Sequence, residues 1–231
     1  MQNNYTYDVA MFRDTFETRF TYLNGFMRNV SRFKTRPAMT DPLSGRRWTY
    51  EELNIEANRL AHALRASGVG KNDVVMFTLL NSPEFVFCYL AAHKVGAIAC
   101  PVNYRQGAGE IALVIDDSCP KAFLYDAEFG ELSAGALNMC QHKPGAVVMV
   151  DYKGGAQVPK GHILYKDYVS GQSEDDPPVD FHPHIYDETT RLYTSGTTSR
   201  PKGVPVNNVN EVLSAHDVMM HFPLGPTDRT M

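Results

Sequence analysis

The sequence predicts an α/β fold, a parallel sheet covered by helices on both faces. Three observations carry this. Short apolar runs of strand length alternate with helix-length segments from Val74 to Val150. The runs are apolar throughout, as strands buried on both faces are. Gly and Pro stand at the boundaries between the two kinds of segment.

Each element has a local reason. Residues 1–34 form an aromatic-rich, partly helical leading segment. Phe12, Phe16 and Phe20 recur there at helical spacing, as do Phe26 and Val30, and these rings are expected to pack on the body. Ala38 to Tyr50 predicts a hairpin turned by Asp41, Pro42, Ser44 and Gly45. Trp48 beside the turn is read as core. Thr49 and Glu52 make a capping box. The apolar stripe Leu53, Ala57, Leu60, Ala61 and Leu64 follows, and Gly68 ends that helix. Lys71, Asn72 and Asp73 make a turn, then Val74–Leu80 is the first strand of the layer.

Ser82 and Pro83 open a helix that runs to Val95 and stops at Gly96. Ala97–Val102 is the second strand. Glu110–Ser118 is a helix with Ile111, Val114 and Ile115 inward. Ala122–Tyr125 is the third strand. Glu128–Cys140 is a helix with Phe129, Leu132, Leu137 and Cys140 inward, and Ala146–Val150 is the fourth strand. Asp151 to Asp187 loses the rhythm, and its acidic "SEDDPPVD" is expected to be a surface connection. Arg191–Tyr193 and Val204–Val206 are strands on either side of a loop. A final helix is expected to start at Asn208, capped with Glu211, with Val209, Val212, Leu213 and Met220 inward. That last element reads as the middle of a fold, so residues 1–231 are expected to be the N-terminal portion of a larger domain.

Bulk chemistry narrows the function. The 231 residues are 43% hydrophobic and 21% charged, with a formal net charge of −4. Such a chain affords a sizeable core and lacks the basic balance of a nucleic-acid binder. Cys88, Cys100, Cys119 and Cys140 show neither C-x-x-C pairing nor zinc spacing. They are read as reduced structural thiols, Cys88 and Cys119 in apolar helix-like stretches, of a cytoplasmic protein. The polar start, with Asp8 and Arg13 breaking any apolar run, leads to the expectation of no signal peptide. The most apolar stretch, Phe85–Val102, carries His93, Lys94 and Gly96, so no integral membrane segment is expected. His182 and His184 lack a carboxylate or thiol at ligand spacing, and no metal site is expected there. His216 and His221 are read as packing or solvent-facing. Asp116 and Asp117 point in diverging directions on a helix, so they are read as a helix-end polar pair and not as an acid–base pair.

The chemistry concentrates in "YTSGTTSRPKGVPV", Tyr193 to Val206. Thr194, Ser195, Gly196, Thr197, Thr198 and Ser199 offer hydroxyl and backbone N–H donors, and Gly196 allows close approach. Arg200 and Lys202 add cations, with Pro201 holding Arg200 extended. This is no Walker A loop, because Lys202 is followed by Gly203 and not by Ser or Thr at a helix start. On residue chemistry alone two readings stand, a flexible surface loop and a phosphate cradle.

"YTSGTTSRPKGV" resembles the phosphate-loop signature of the adenylate-forming superfamily, the acyl- and aryl-CoA synthetases, luciferases and peptide-synthetase adenylation domains. "WTYEELNIEANRLAHALRASGVGKNDVV", "AAHKVGAIACPVNYR" and "EIALVIDDSCPKAFLYD" are similar to that family's early helix and strand units, in the form of the CoA ligases. The resemblance runs from about Pro37 to Met231. It implies the αβα layered parallel sheet of these enzymes with a β-hairpin phosphate loop. It also implies a two-step ligase that uses ATP with Mg2+, a small carboxylic acid, and CoA. Residues Thr194 to Gly203 would hold the nucleotide phosphates, with Lys202 stabilising the departing pyrophosphate. Ser199 stands where the family most often has glycine. Serine there costs about 1–2 kcal/mol if the backbone is left-handed, and it also occurs in oxalate-type CoA ligases. The family's aromatic-Gly-x-Thr-Glu segment, ribose-binding aspartate and distal lysine have no counterpart in the 231 residues. The chain alone is therefore expected to be inactive, or else to serve as a non-catalytic nucleotide- or pyrophosphate-binding module.

Overall fold

The computed structural model describes residues 8–194, 200–222, 224–225 and 228–229. Two helices lead, α1 (Val9–Arg19) and α2 (Tyr22–Phe33), then a small antiparallel pair, β1 (Pro37–Thr40) and β2 (Arg47–Thr49). The layer follows as α3 (Tyr50–Ala66), β3 (Val74–Thr78), α4 (Pro83–Lys94), β4 (Ile98–Pro101), α5 (Ala108–Ser118), β5 (Ala122–Asp126), α6 (Gly130–Met139) and β6 (Ala146–Val150). It continues with β7 (Ile163–Leu164), α7 (Tyr165–Tyr168), β8 (Glu188–Thr194), β9 (Lys202–Asn207) and α8 (Asn208–His221). The main sheet has the order β7-β6-β5-β3-β4-β8-β9. Its pairings are parallel except for β8 with β9.

Strand residues alternate between two cores, as a period of two requires. Val75, Phe77, Ala99, Leu124 and Val148 meet α3 and α4 on one face. Met76, Ile98, Cys100, Phe123, Tyr125 and Met149 meet α5 and α6 on the other. The chain steps from β3 outward to β4, then crosses back to β5 and on to β6. With right-handed crossovers, the reversal sends α4 and α5 to opposite faces. The Thr49–Glu52 box is present, and Trp48 is buried against Phe87.

Several expectations need correcting. Residues 151–187 are more than a loose connection. β7 extends the sheet, and Tyr168 of α7 is buried. A two-residue pairing is too short to leave a periodic signal. The acidic stretch then crosses α3 and α4 as a strap. Arg59 pairs with Glu174 at 2.5 Å, Arg65 with Asp180 at 2.8 Å and Lys94 with Asp176 at 2.7 Å. Beneath it Gly96 has φ +70°, and a Cβ there would stand 2.9 Å from the Phe181 ring. Only glycine meets both demands at low cost.

At the leading end, Phe12, Phe16 and Phe20 stack on one another at 5.8 and 5.1 Å, and Phe20 meets His216. Phe12 and Phe16 remain exposed at the surface. Cys119 is exposed and ends α5 in the left-handed region at φ 46°, while Cys88, Cys100 and Cys140 are buried free thiols.

The final helix is capped one residue earlier than expected. Asn207 and Asn210 form the box, and Glu211 has another use. Val209 and Val212 are half-buried, but Leu213 is exposed and Met220 is 82% exposed. α8 packs on β9 and α2 at the sheet's edge, which leaves its other side in solvent.

Candidate functional site

β8 runs parallel to β4, so its end at Thr194 lies at the carboxyl edge of the sheet, with Thr78, Asp126 and Val150. Open α/β sheets bind their ligands at this edge. β9 returns antiparallel, and Thr194 faces Lys202 across the ladder. Pro205 lacks a ladder N–H, which suits an edge strand. Thr194, Arg200, Lys202 and Gly203 are exposed and Pro201 is half-buried. Among the described residues no carboxylate pairs with Arg200 or Lys202. Ser195, Gly196, Thr197, Thr198 and Ser199 lie outside the described residues.

The strands' own side chains brace the hairpin. Tyr193 donates its hydroxyl to Asp117 Oδ2 at 2.5 Å. Burial, then that carboxylate, pushes its pKa upward. The ring lies over Gly203, where a Cβ would stand 3.1 Å from it. Gly203 therefore admits the ring that the next strand needs. Arg191 grips Glu188 through Nε and Nη2 at 2.7 and 2.8 Å, which holds its guanidinium pKa up. Asp116 accepts from the backbone N–H groups of Gln141 and His142. The two aspartates thus do separate structural jobs.

A second feature of the same edge is a crevice of about 540 Å³ between the ends of β3, β5 and β6, lined by Asn81, Ser82, Asp126, Glu128, Asp151 and Lys153 among others. Burial raises the pKa of Asp126. Three carboxyl groups against one lysine make this crevice a poor place for phosphate, whereas Arg200 and Lys202 of the hairpin meet no paired carboxylate among the described residues. Among the described residues no group of three or more His, Cys, Asp or Glu stands ready to hold a metal ion. No helix of the described residues is long and apolar enough to cross a membrane.

Sequence reasoning missed a buried polar cluster behind the hairpin. Glu211 Oε1 accepts from Thr190 Oγ1 at 2.7 Å and from the Tyr89 hydroxyl at 2.5 Å. His93 Nε2 stands 4.0 Å from the same oxygen. The available signal was an acid on the inward register of the last helix and a histidine in an apolar one. Burial draws the His93 pKa below the usual histidine range, against the pull of Glu211. Unfolded, His93 binds a proton below about pH 6.5, before the folded form does, so acidification costs stability there. His93→Gln is expected to flatten the fall of Tm between about pH 6.5 and 5, where the parent's unfolded histidine charges. Thermal denaturation across that range checks it, and an unchanged slope would count against a neutral buried His93.

Comparison with known proteins agrees with this geometry. Residues 26–231 match the family described as AMP-binding enzyme. The chain is 34% identical over 181 residues to the 3-hydroxybenzoate--CoA/4-hydroxybenzoate--CoA ligase of Thauera aromatica, covering 78% of this chain and 34% of that protein. It is 30% identical over 189 residues to 4-coumarate--CoA ligase 1 of Arabidopsis thaliana, covering 81% and 33%. It thus spans about a third of the length of these relatives. Among solved structures it is similar to the anthranilate CoA ligase AuaEII in complex with anthranoyl-AMP, with TM-score 0.73 and 25% identity over 85% of this chain and 36% of that one. It is also similar to the N-terminal domain of FACL13 from Mycobacterium tuberculosis, with TM-score 0.67 and 28% identity over 83% and 44%. Parallel sheet, edge hairpin and matched residues together make the chain a member of the AMP-binding enzyme family.

Proposed function

We propose that this chain is the phosphate-binding part of an ATP-dependent acid–thiol ligase. A carboxylate attacks the α-phosphorus of ATP, pyrophosphate leaves and an acyl-adenylate forms; the CoA thiol then displaces AMP. The acid is a small-molecule carboxylate, aryl or aliphatic. Both kinds occur in the names of the relatives, which include a long-chain-fatty-acid--CoA ligase of Mycobacterium tuberculosis. Four free thiols suit a reducing compartment, and we assign the enzyme to the cytoplasm.

The observation that carries the reading is Lys202, exposed opposite Thr194 at the carboxyl edge with no described carboxylate paired to it. In this role the Thr194 hydroxyl and the hydroxyl and N–H groups of Ser195 to Ser199 hold the β- and γ-phosphates. Arg200 adds charge, Pro201 sets its direction, and Gly203 keeps the return strand close. Lys202 follows the pyrophosphate as negative charge collects on it. Calorimetry of the 231-residue chain with pyrophosphate and with ATP tests this. Binding at about millimolar or tighter is expected, and far weaker binding of both would reject the assignment.

A further inference from the structure

We infer that Glu211 is the positioning residue of the hairpin: its carboxylate locks β8, α4 and α8 together and so sets how Thr194 and Lys202 are presented. The inference rests on the phosphate reading above for its purpose, though not for its geometry.

Thr190 is where β8 joins the sheet, in register with Ala99 of β4. Its hydroxyl lies 2.9 Å from the Tyr89 hydroxyl of α4, and both donate to Glu211 Oε1. Three elements therefore meet at one oxygen. One of them leads into the hairpin, and α8 leads directly out of it. The Glu211 side chain is only 9% exposed. Its Oε2 is buried with no hydrogen-bond partner, and the buried His93 ring lies beside it with the Thr189 backbone near its nitrogens. Tyr22 of α2 closes the cluster, edge-on to the rings of Tyr89 and His93 at 5.9 and 5.7 Å. The titratable groups facing Glu211 are thus Tyr89 and His93 from α4 and Tyr22 from α2.

A carboxylate at an inward helical position costs free energy that an apolar side chain would not. Packing alone gives no reason for it. Hydrogen bonds supply direction, which apolar contact lacks, and the two hydroxyls that donate to Oε1 hold β8 and α4 in one arrangement against α8. Here the partners are Thr190 of β8 and Tyr89 of α4, and Glu211 itself sits on the helix that follows β9. The outer half of β8 has Tyr193–Asp117 as its other tie to the body.

The test compares Glu211→Leu, Glu211→Gln and Tyr89→Phe in the 231-residue chain. Glutamine keeps the accepting oxygen and drops the charge. Pyrophosphate affinity, amide exchange and Tm are measured on each. In Glu211→Leu, amides of β8 and β9 are expected to exchange about tenfold faster while those of β3 and β5 hold, and pyrophosphate affinity to fall about five- to tenfold. Glu211→Gln should stay within about twofold of the parent on both, since its oxygen accepts the same hydroxyls. Tyr89→Phe should shift both readouts in the leucine direction, and it keeps the inference testable if the leucine variant does not fold. If pyrophosphate binds and neither Glu211→Leu nor Tyr89→Phe alters hairpin exchange or affinity, the inference is overturned. Equal losses in the glutamine and leucine variants would overturn it too, by making charge and not geometry the cause. If the parent chain binds no pyrophosphate while hairpin exchange still rises in the leucine variant alone, the clamp stands and the phosphate reading fails.

Discussion

Lys202→Ala is expected to slow acyl-adenylate formation about 100-fold, the loss typical when one preorganised charge donor is removed from a transition state. Lys202 begins β9 opposite Thr194, exposed and unmatched by any described carboxylate. Its ammonium is free to follow an incoming anion. The charge on pyrophosphate grows as the bond to the α-phosphorus breaks, so the interaction is stronger in the transition state than with bound ATP. The acid substrate lacks this contact, and its affinity should move little. Pyrophosphate–ATP exchange, measured in the ligase that carries this chain, reads the chemical step, and the dissociation constant of the acid reads binding. An unchanged exchange rate would remove Lys202 from the role assigned to it.

Asp176→Ala should have the largest effect on stability, about 3 kcal/mol, because it strands a buried cation. The Lys94 side chain is 4% exposed at the end of α4, and its Nζ lies 2.7 Å from Asp176 Oδ1. Burial pulls the Lys94 pKa down and Asp176 restores part of it. Burial would raise the Asp176 carboxyl, yet Lys94 holds it below its usual range. Asp176 is itself half in water at 53% exposure, which keeps the figure at the low end for a broken buried pair. Adding Lys94→Met removes the stranded charge and should recover most of the loss. Urea unfolding of the two single variants and the double variant measures this. Additive losses would show that the pair is not coupled.

The sheet was legible because β3 to β6 obey local rules. Each is an apolar run bounded by a cap or a glycine, and both cores follow from alternation along VVMFT and AFLYD. The hairpin was legible by composition. What escaped depends on partners distant in sequence. The acids of residues 174–180 read as solvated until Arg59, Arg65 and Lys94 are set beneath them. Glu211 reads as a capping partner three residues after Asn208, until Tyr89 and Thr190 reach it. β7 pairs too briefly for periodicity to mark it. Leu213 and Met220 show the reverse limit, since apolar spacing predicts a buried face only where another layer covers it.

The pairing of Ala99 with Thr190 joins strands that six intervening elements, α5, β5, α6, β6, β7 and α7, separate along the chain. Units such as β3–α4–β4 close through near neighbours, at little entropic expense. The pairing of β8 with β4, by contrast, closes the long span between Ala99 and Thr190. High contact order of this kind slows folding. Docking of the β8–β9 hairpin on β4 is therefore expected to follow formation of the β3–α4–β4 unit during folding.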